Sequence, residues 1–131
     1  MPNVMQPLSD LMVMDLAARA AHYQQQAIGA REYLQGRGLG VATCEAARLG
    51  YVGDPYPGDE QYQGCLAIPH ANADGVVTGI RFRRLNGGEP KYTSRPGERF
   101  NIYNLAGVAG AREAHIAEGE LDTLSLVECG L

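Results

Sequence analysis

The strongest constraint on the fold of this chain is a run at 76–85 whose residue character alternates along the sequence. Turn-forming Asn, Asp and Gly residues bracket the run, at 72–75 and 86–88. Successive side chains of a β-strand point to opposite faces, so the run predicts a strand that follows a tight turn. One face would carry Val76, Thr78, Ile80, Phe82 and Arg84, and the other Val77, Gly79, Arg81, Arg83 and Leu85. The strand therefore places Arg81 and Arg83 on one surface.

The chain that precedes this strand has the pattern of three helices, at 9–27, 29–36 and 42–48. Ser9 and Thr43 are the predicted N-caps, because a side-chain oxygen at that position accepts a hydrogen bond from a free backbone N–H. Apolar residues at helical spacing give the first helix one stripe, formed by Met12, Leu16, Ala20, Tyr23 and Ala27. Helices followed by short strands predict an α+β fold.

Gly, Pro and Asp dominate the stretch 50–64, which predicts an irregular loop without regular elements. Short extended segments are predicted at 65–69, 90–94 and 101–105. A glycine-rich joint at 107–111 separates these segments from the last unit of the chain.

The last unit has the pattern of a short buried strand at 114–117 followed by a helix at 120–130. Glu118 stands at the end of the strand, and Asp122 lies in the first turn of the helix. Ligands of α/β sheets bind at the carboxyl ends of strands, and Mg²⁺ prefers carboxylate oxygens. An acidic residue in a first helical turn also commonly does no more than offset the helix dipole. The residues alone leave both interpretations open.

The charge of the chain is unevenly distributed. Its net charge is −4, yet residues 76–100 hold six basic and two acidic side chains, a local charge of +4. The remainder holds five basic and thirteen acidic side chains, a charge of −8. A basic segment on an acidic protein is typical of a phosphate-binding groove, and it is also compatible with a solvated strand face.

The sequence indicates neither a membrane protein nor a secreted one. No apolar run approaches the roughly 20 residues that cross a bilayer, and the N-terminus has no signal-peptide pattern. The cysteines Cys44, Cys65 and Cys129 are far apart and lack the spacing of a zinc site. They are therefore interpreted as reduced intracellular thiols.

Six segments between Tyr33 and Leu131 occur in an order and at a spacing that one protein family shares. They are YLQGRGL (33–39), RLGYVGD (48–54), LAIPHANADGVVTGIRFRRL (66–85), PKYTSRPG (90–97), NIYNL (101–105) and HIAEGELDTLSLVECGL (115–131). Together they resemble the bacterial and phage DNA primases of the DnaG type, and they cover roughly three-quarters of the chain.

The resemblance implies an α+β chain in three parts. These are an N-terminal helix and tail at 1–28, a subdomain with a small mixed sheet and a basic face at 29–106, and the first strand–helix unit of an incomplete Toprim fold at 107–131. The implied function is synthesis of short RNA primers on single-stranded DNA by metal-dependent nucleotidyl transfer. A Toprim fold needs a second strand with further carboxylates. A second polypeptide, or the rest of a longer protein, is therefore expected to complete it, and the chain alone is expected to be inactive.

Carried over position by position, the family's catalytic residues match Arg83, Lys91 and Glu118. Glu118 and Asp122 match carboxylates that hold Mg²⁺ or Mn²⁺, whereas the family's zinc ligands have no counterpart, so no zinc is expected. Contacts to template or nucleotide are expected at Arg81, Arg84, Tyr92, Arg95, Arg99 and Asn104. For the four arginines in that set exposure to solvent is the open alternative, and for Tyr92 it is packing in the core.

The partners implied are single-stranded DNA, nucleoside triphosphates, the second polypeptide and, as a further candidate, the replicative helicase. The implied location is the cytoplasm, or the host cytoplasm for a phage protein. Another interpretation is a non-catalytic single-strand-binding module of a replication complex, which would need the basic strand but neither Glu118 nor Asp122. A Toprim nuclease or topoisomerase-like protein is a third, against which the primase-like segment 90–97 argues.

Overall fold

The computed structural model describes residues 9–98 and 120–128, and it confirms an α+β fold. The helices of these ranges are α1 (Asp10–Gln24), α2 (Arg31–Gly36), α3 (Val41–Ala46) and α4 (Glu120–Glu128), and the strands are β1 (Gly50–Tyr51), β2 (Cys65–Ala71), β3 (Val77–Arg84) and β4 (Tyr92–Ser94). Short 3-10 turns occur at Ala27–Ala30 and Glu60–Tyr62. No helix in the described ranges is long and apolar enough to cross a membrane.

The four strands form one sheet in the order β1-β2-β3-β4, and every neighbouring pair is antiparallel. The turn between β2 and β3 lies where the sequence predicts it. The side-chain oxygen of Asn72 accepts the backbone N–H groups of Asp74 and Val76, and Gly75 has a φ of +81°. That conformation suits glycine, so the Asp-Gly pair fixes the hairpin and with it the register of β3.

Both faces of the sheet are covered. On one face Leu16, Ala20 and Tyr23 of α1 pack with Ile80 and Phe82 of β3 in one buried cluster. The opposite face carries a second cluster, built from Ala30, Leu34, Leu39, Leu49, Leu66, Ile68, Leu121 and Leu124. Helix α1 therefore packs on the sheet itself, a question that the sequence left open.

The predicted alternation along β3 holds from Ile80 onward but not at its start. Val77, predicted on the arginine face, packs in the same cluster as Ile80 and Phe82. The register between β2 and β3 shifts between His70 and Ala71, opposite the beginning of β3. An irregularity of this kind places two residues of one strand against one of the other, so the side-chain alternation slips there.

Three predictions about the helices are corrected. Helix α1 ends at Gln24, and a 3-10 turn follows it. Met12, placed on the apolar stripe, is 38% exposed, and its neighbours Leu11 and Met14 in the first turns of α1 are exposed as well. Helix α3 begins at Val41 with extended Gly40 as its N-cap, so Thr43 lies within the helix and is not the cap.

The stretch 50–64, predicted as a wholly irregular loop, contains β1 and the 3-10 turn Glu60–Tyr62. Gly50 pairs with Ala67 of β2. A Cβ atom at Gly50 would lie 2.5 Å from the carbonyl carbon of Tyr23, so only glycine lets this strand approach the end of α1. Glycine usually weakens a strand, but at this position the absence of a side chain leaves room for the strand beside α1.

A buried charged network joins α1 to the loop between β1 and β2. Nη1 of Arg19 lies 2.7 Å from Oδ2 of Asp59, which is fully buried, and Nε of Arg19 donates to Asp15 at 2.8 Å. The Tyr23 hydroxyl donates to Asp59 and accepts the backbone N–H of Tyr56 at 3.0 Å. Burial of a charge is unfavourable unless it is paired, so these contacts are what permit Asp59 inside the fold.

Candidate nucleic-acid interface

The register of β3 and β4 brings the predicted basic and aromatic residues together. Arg83 lies directly opposite Tyr92, and Arg81 lies opposite Ser94. Directly opposed residues of antiparallel strands share a face, and diagonal neighbours remain within reach of long side chains. The Tyr92 ring is therefore accessible to both arginines, and the shared face predicted for Arg81 and Arg83 is confirmed.

Cations and aromatic rings alternate on this face. The guanidinium carbon of Arg81 lies 4.5 Å from the ring centroid of Tyr92. That of Arg83 lies 5.4 Å from the Tyr92 centroid and 5.2 Å from the centroid of Tyr33, which α2 supplies. Guanidinium groups within about 6 Å of an aromatic face are attracted by the ring's electrons. The two rings thus hold Arg83 between them.

Arg83 is buried but its charge is not balanced by a carboxylate among the described residues. Its exposed fraction is 7%, and its Nε has no hydrogen-bond partner within 9–98 and 120–128. Buried polar groups are nearly always hydrogen-bonded, and an unpartnered one calls for a specific explanation. A bound anion would supply the missing acceptor.

A pocket of about 260 Å³ opens beside Arg83. Its lining includes Lys91, which is exposed and forms no ion pair within the described residues, and the ring of Tyr33. The full lining is Tyr33, Arg83, Arg84, Leu85, Gly87, Gly88, Glu89 and Lys91. Three cations with one aromatic wall and one acidic residue form a site that favours an anion with an attached ring.

The predicted contact residue Arg84 shapes the loop that carries Lys91. Its Nε donates to the carbonyl oxygen of Pro90 at 3.0 Å, and its backbone N–H donates to the carbonyl of Lys91 at 2.9 Å. A Cβ atom at Gly88 would lie 3.0 Å from Cδ of Arg84, so glycine allows the loop to fold against that side chain. Arg84 therefore positions the loop as well as lining the pocket.

Arg81 is in a different environment from Arg83. Its Nη1 donates to Oε1 of Glu120 at 3.0 Å, and Nε2 of His70 lies 3.2 Å from the same oxygen. Glu120 is 3% exposed. Burial acts to raise the pKa of the Glu120 carboxyl, but the hydrogen bonds from His70 and the backbone, with the charge of Arg81, outweigh it and hold the pKa below its usual value.

Arg95, a predicted template contact, binds two carboxylates of the chain itself. It forms ion pairs with Glu98 and, at 3.3 Å, with Asp15 of α1. Glu98 in turn accepts the backbone N–H of Ile80 at 2.7 Å. Arg95 therefore fastens the segment after β4 to the α1 side of the sheet, and a role in template binding stays a prediction.

Several predicted site residues, among them the metal ligand Glu118, lie outside the described residues. Glu118, Arg99 and Asn104 fall outside them altogether, as do the predicted strands at 101–105 and 114–117. Asp122 belongs to the first turn of α4 through its backbone, and its side chain is not described. Within the described residues no group of three or more acidic, His or Cys side chains could hold a metal ion.

Three residues of this face received no role from the sequence. Tyr33 lay in a segment that resembles primases, but its distance from Arg83 along the chain gave no sign of contact. Glu120 and His70 meet across a separation of 50 residues. Only the pairing of β2 with β3 and the packing of α4 bring them to Arg81.

Comparison with solved structures identifies the class of protein whose fold this chain shares. The chain has the fold of the catalytic core of DnaG-type primases. It matches the zinc-binding and RNA polymerase domains of Aquifex aeolicus primase with a TM-score of 0.76 and 21% identity, over 91% of this chain and 40% of that one. It matches a DnaG primase catalytic domain bound to single-stranded DNA with a TM-score of 0.69 and 20% identity, over 91% of this chain and 50% of that one. The TM-score is 0.70, at 21% identity, for the Mycobacterium tuberculosis DnaG RNA polymerase domain in complex with double-stranded DNA, over 93% of this chain and 53% of that one.

Comparison of sequences adds one relative. The gene 57 protein of Mycobacterium phage D29 is 39% identical in an alignment of 75 positions, and the match covers 53% of this chain and 49% of that protein. No protein-family model matches the chain. The chain thus spans about half the length of this relative, and 40% to 53% of the primase structures compared above.

Proposed function

We propose that this chain is part of a DNA primase that makes short RNA primers on single-stranded DNA by metal-dependent nucleotidyl transfer. The observation that carries the proposal is Arg83, a buried guanidinium held between Tyr33 and Tyr92 with no carboxylate partner in the described residues. Lys91 stands beside it in the same pocket. Cations without carboxylate partners in the described residues, next to aromatic rings, suit a phosphate with its base or sugar.

Each side chain would have a distinct role. Arg83 would bind a phosphate through its planar fork of N–H donors, and the flanking rings would keep that fork in one orientation. Lys91, exposed at the mouth of the pocket, would act as a mobile positive charge for the triphosphate or the template backbone. Tyr92 contacts both arginines, is partly exposed, and would stack on a base or sugar. Phosphoryl transfer depends mainly on such positioning and charge stabilisation.

Glu118 and Asp122 would hold Mg²⁺ or Mn²⁺, since both are carboxylates and lie four residues apart in the sequence. The ion would supply charge stabilisation at the reacting phosphate. Further carboxylates would come from a second polypeptide or from the remainder of a longer protein, and activity would require that part. The replicative helicase is a further proposed partner, and the cytoplasm, of a host for a phage protein, is the proposed location.

Binding of labelled single-stranded DNA at about 50 mM and 200 mM salt tests the proposal. We expect Lys91→Met to weaken binding and to reduce the slope of log affinity against log salt by about 0.7, the value for one phosphate contact on a single strand. Arg31→Met is the matched control, because Arg31 is exposed on α2 and its loss changes the net charge equally. Absence of binding at low salt, or equal weakening by both variants, would contradict the proposal.

Primer synthesis by the complete protein or complex separates an enzyme from a binding module. An enzyme should lose synthesis in Glu118→Gln while it retains affinity for single strands. A chain that binds single strands but supports no synthesis in any completed form would favour the non-catalytic module. The basic pocket serves both functions, so the carboxylate is the residue that discriminates.

A further inference from the structure

Arg81 and Arg83 share a face of β3 but differ in whether a carboxylate pairs with them. Arg83 has no carboxylate partner in the described residues, whereas Arg81 donates to Glu120 at 3.0 Å. The side chain of Arg81 is 41% exposed, so an external polyanion can reach it, but the carboxylate that pairs with it is buried. A phosphate that bound the remaining N–H groups of Arg81 would meet a cation whose charge Glu120 already offsets, and full use of that charge would require displacement of Glu120.

That displacement is unfavourable for a structural reason. Glu120 is held by His70 of β2 as well as by Arg81 of β3, and it is the first residue of α4. Loss of Arg81 would leave a buried carboxylate with one ion-pair partner fewer, and an incompletely paired buried charge is strongly destabilising. The neighbouring leucines Leu121 and Leu124 pack in the core and prevent α4 from moving with the carboxylate.

We propose that Glu120 is an internal competitor for phosphate, which occupies Arg81 and thereby confines the anion-binding surface to the pocket cations Arg83, Arg84 and Lys91. The same contact ties α4 to β3, so Glu120 is a positioning residue that fixes the start of this helix relative to the phosphate pocket. The inference rests on the proposed function, because it assumes that the pocket binds phosphate. It changes the expected role of Arg81 from template contact to internal ion-pair partner.

The proposal predicts a gain of binding, which a merely structural role would not produce. Glu120→Gln should tighten binding of labelled single-stranded DNA severalfold and steepen the salt slope by about 0.7, because Arg81 becomes available to one more phosphate. Arg81→Met alone should leave affinity almost unchanged. The double variant should lose the gain and return to the affinity of the wild type.

Asp74→Asn is the control for net charge. It changes the charge by the same amount in the exposed turn that precedes β3, at the far end of that strand from Arg83. We expect it to leave the affinity almost unchanged. A gain equal to that of Glu120→Gln would overturn the proposal, because the effect would then be long-range charge alone.

Other outcomes decide the matter as well. Weaker or unchanged binding by folded Glu120→Gln would overturn the proposal. If that variant fails to fold, as thermal unfolding would reveal, Arg81→Met decides, since a severalfold loss of affinity would show Arg81 to be a direct contact. A wild-type protein that does not bind single-stranded DNA would contradict the proposed function. Binding gained by Glu120→Gln would in that case still support the competition between Glu120 and phosphate. Absence of binding by the wild type and by the variant would overturn both proposals.

Discussion

Arg83 and Arg81 are separated by one residue on β3, yet the groups that surround their charges differ. Rings of Tyr33 and Tyr92 surround the first, and the carboxylate of Glu120 pairs with the second. The alternating sequence predicted that the arginines share a face, because strand periodicity depends only on near neighbours. The contacts with Tyr33 and Glu120 could not be predicted, since those residues come from α2 and α4, elements far away in the sequence.

Removal of the Tyr23 hydroxyl tests how much a single buried polar group contributes to stability. Tyr23→Phe leaves the fully buried Asp59 without one donor and the backbone N–H of Tyr56 without its acceptor. Leaving buried polar groups unsatisfied costs about 1–3 kcal/mol, so the free energy of unfolding should fall by that amount in urea titrations. An unchanged free energy would show that water replaces both contacts.

The same variant should also alter the pH dependence of stability. Burial, with the hydrogen bond to Asp59, raises the pKa of Tyr23 well above its ordinary value of 10.0. Because the folded state keeps the proton, the stability that Tyr23 contributes is fully present below pH 10.0 and is lost as the pH rises from there toward the folded-state pKa. The difference in unfolding free energy between wild type and variant should therefore shrink at strongly alkaline pH.

Strand β1 is an element that the composition of its segment did not predict. The stretch 50–64 is rich in Gly, Pro and Asp and predicted a loop, because such residues favour turns when local sequence alone decides. Two of its residues nevertheless pair with β2, since Gly50 can approach the backbone at the end of α1. In contrast, β3 and its hairpin turn were predicted almost to the residue, because their signals are local.

Gly50→Ala tests the close approach of β1 to α1. The added Cβ atom would lie 2.5 Å from Tyr23 and 2.8 Å from the backbone N of Gln24, so backbone must move. Overpacking of this kind costs about 1–3 kcal/mol, and thermal unfolding should show the loss. Gly36→Ala is the control, because no atom lies within 4 Å of the added group and stability should be unchanged or slightly higher.

At the scale of the molecule, charged contacts connect α1 to distant parts of the chain, in addition to the apolar clusters on the two faces of the sheet. Arg19 and Asp15 of α1 bind Asp59 before β2 and Arg95 after β4. The sequence predicted an N-terminal helix with a capping Ser9, and the structure confirms both. What that helix packs against is a long-range property, and neither periodicity nor charge could indicate it.

The Arg19→Met variant tests how much the ion pair between Arg19 and Asp59 stabilises the fold. It leaves Asp59 buried without its cation, and removal of one partner of a buried ion pair costs about 3–5 kcal/mol, so the urea midpoint should fall sharply. Addition of Asp59→Asn should recover part of the loss, since no unpaired charge then remains inside. Equal destabilisation by the single and double variants would assign the effect to packing of the Arg19 side chain on Tyr56 instead.

The sandwich of Arg83 between Tyr33 and Tyr92 makes the pocket suited to optical detection. The chain contains seven tyrosines and no tryptophan. Tyr33→Trp would introduce a single indole about 5.2 Å from a guanidinium whose position should shift when an anion binds. Its emission is sensitive to nearby charge, so occupancy of the pocket could be followed by fluorescence without a label on the DNA or the nucleotide.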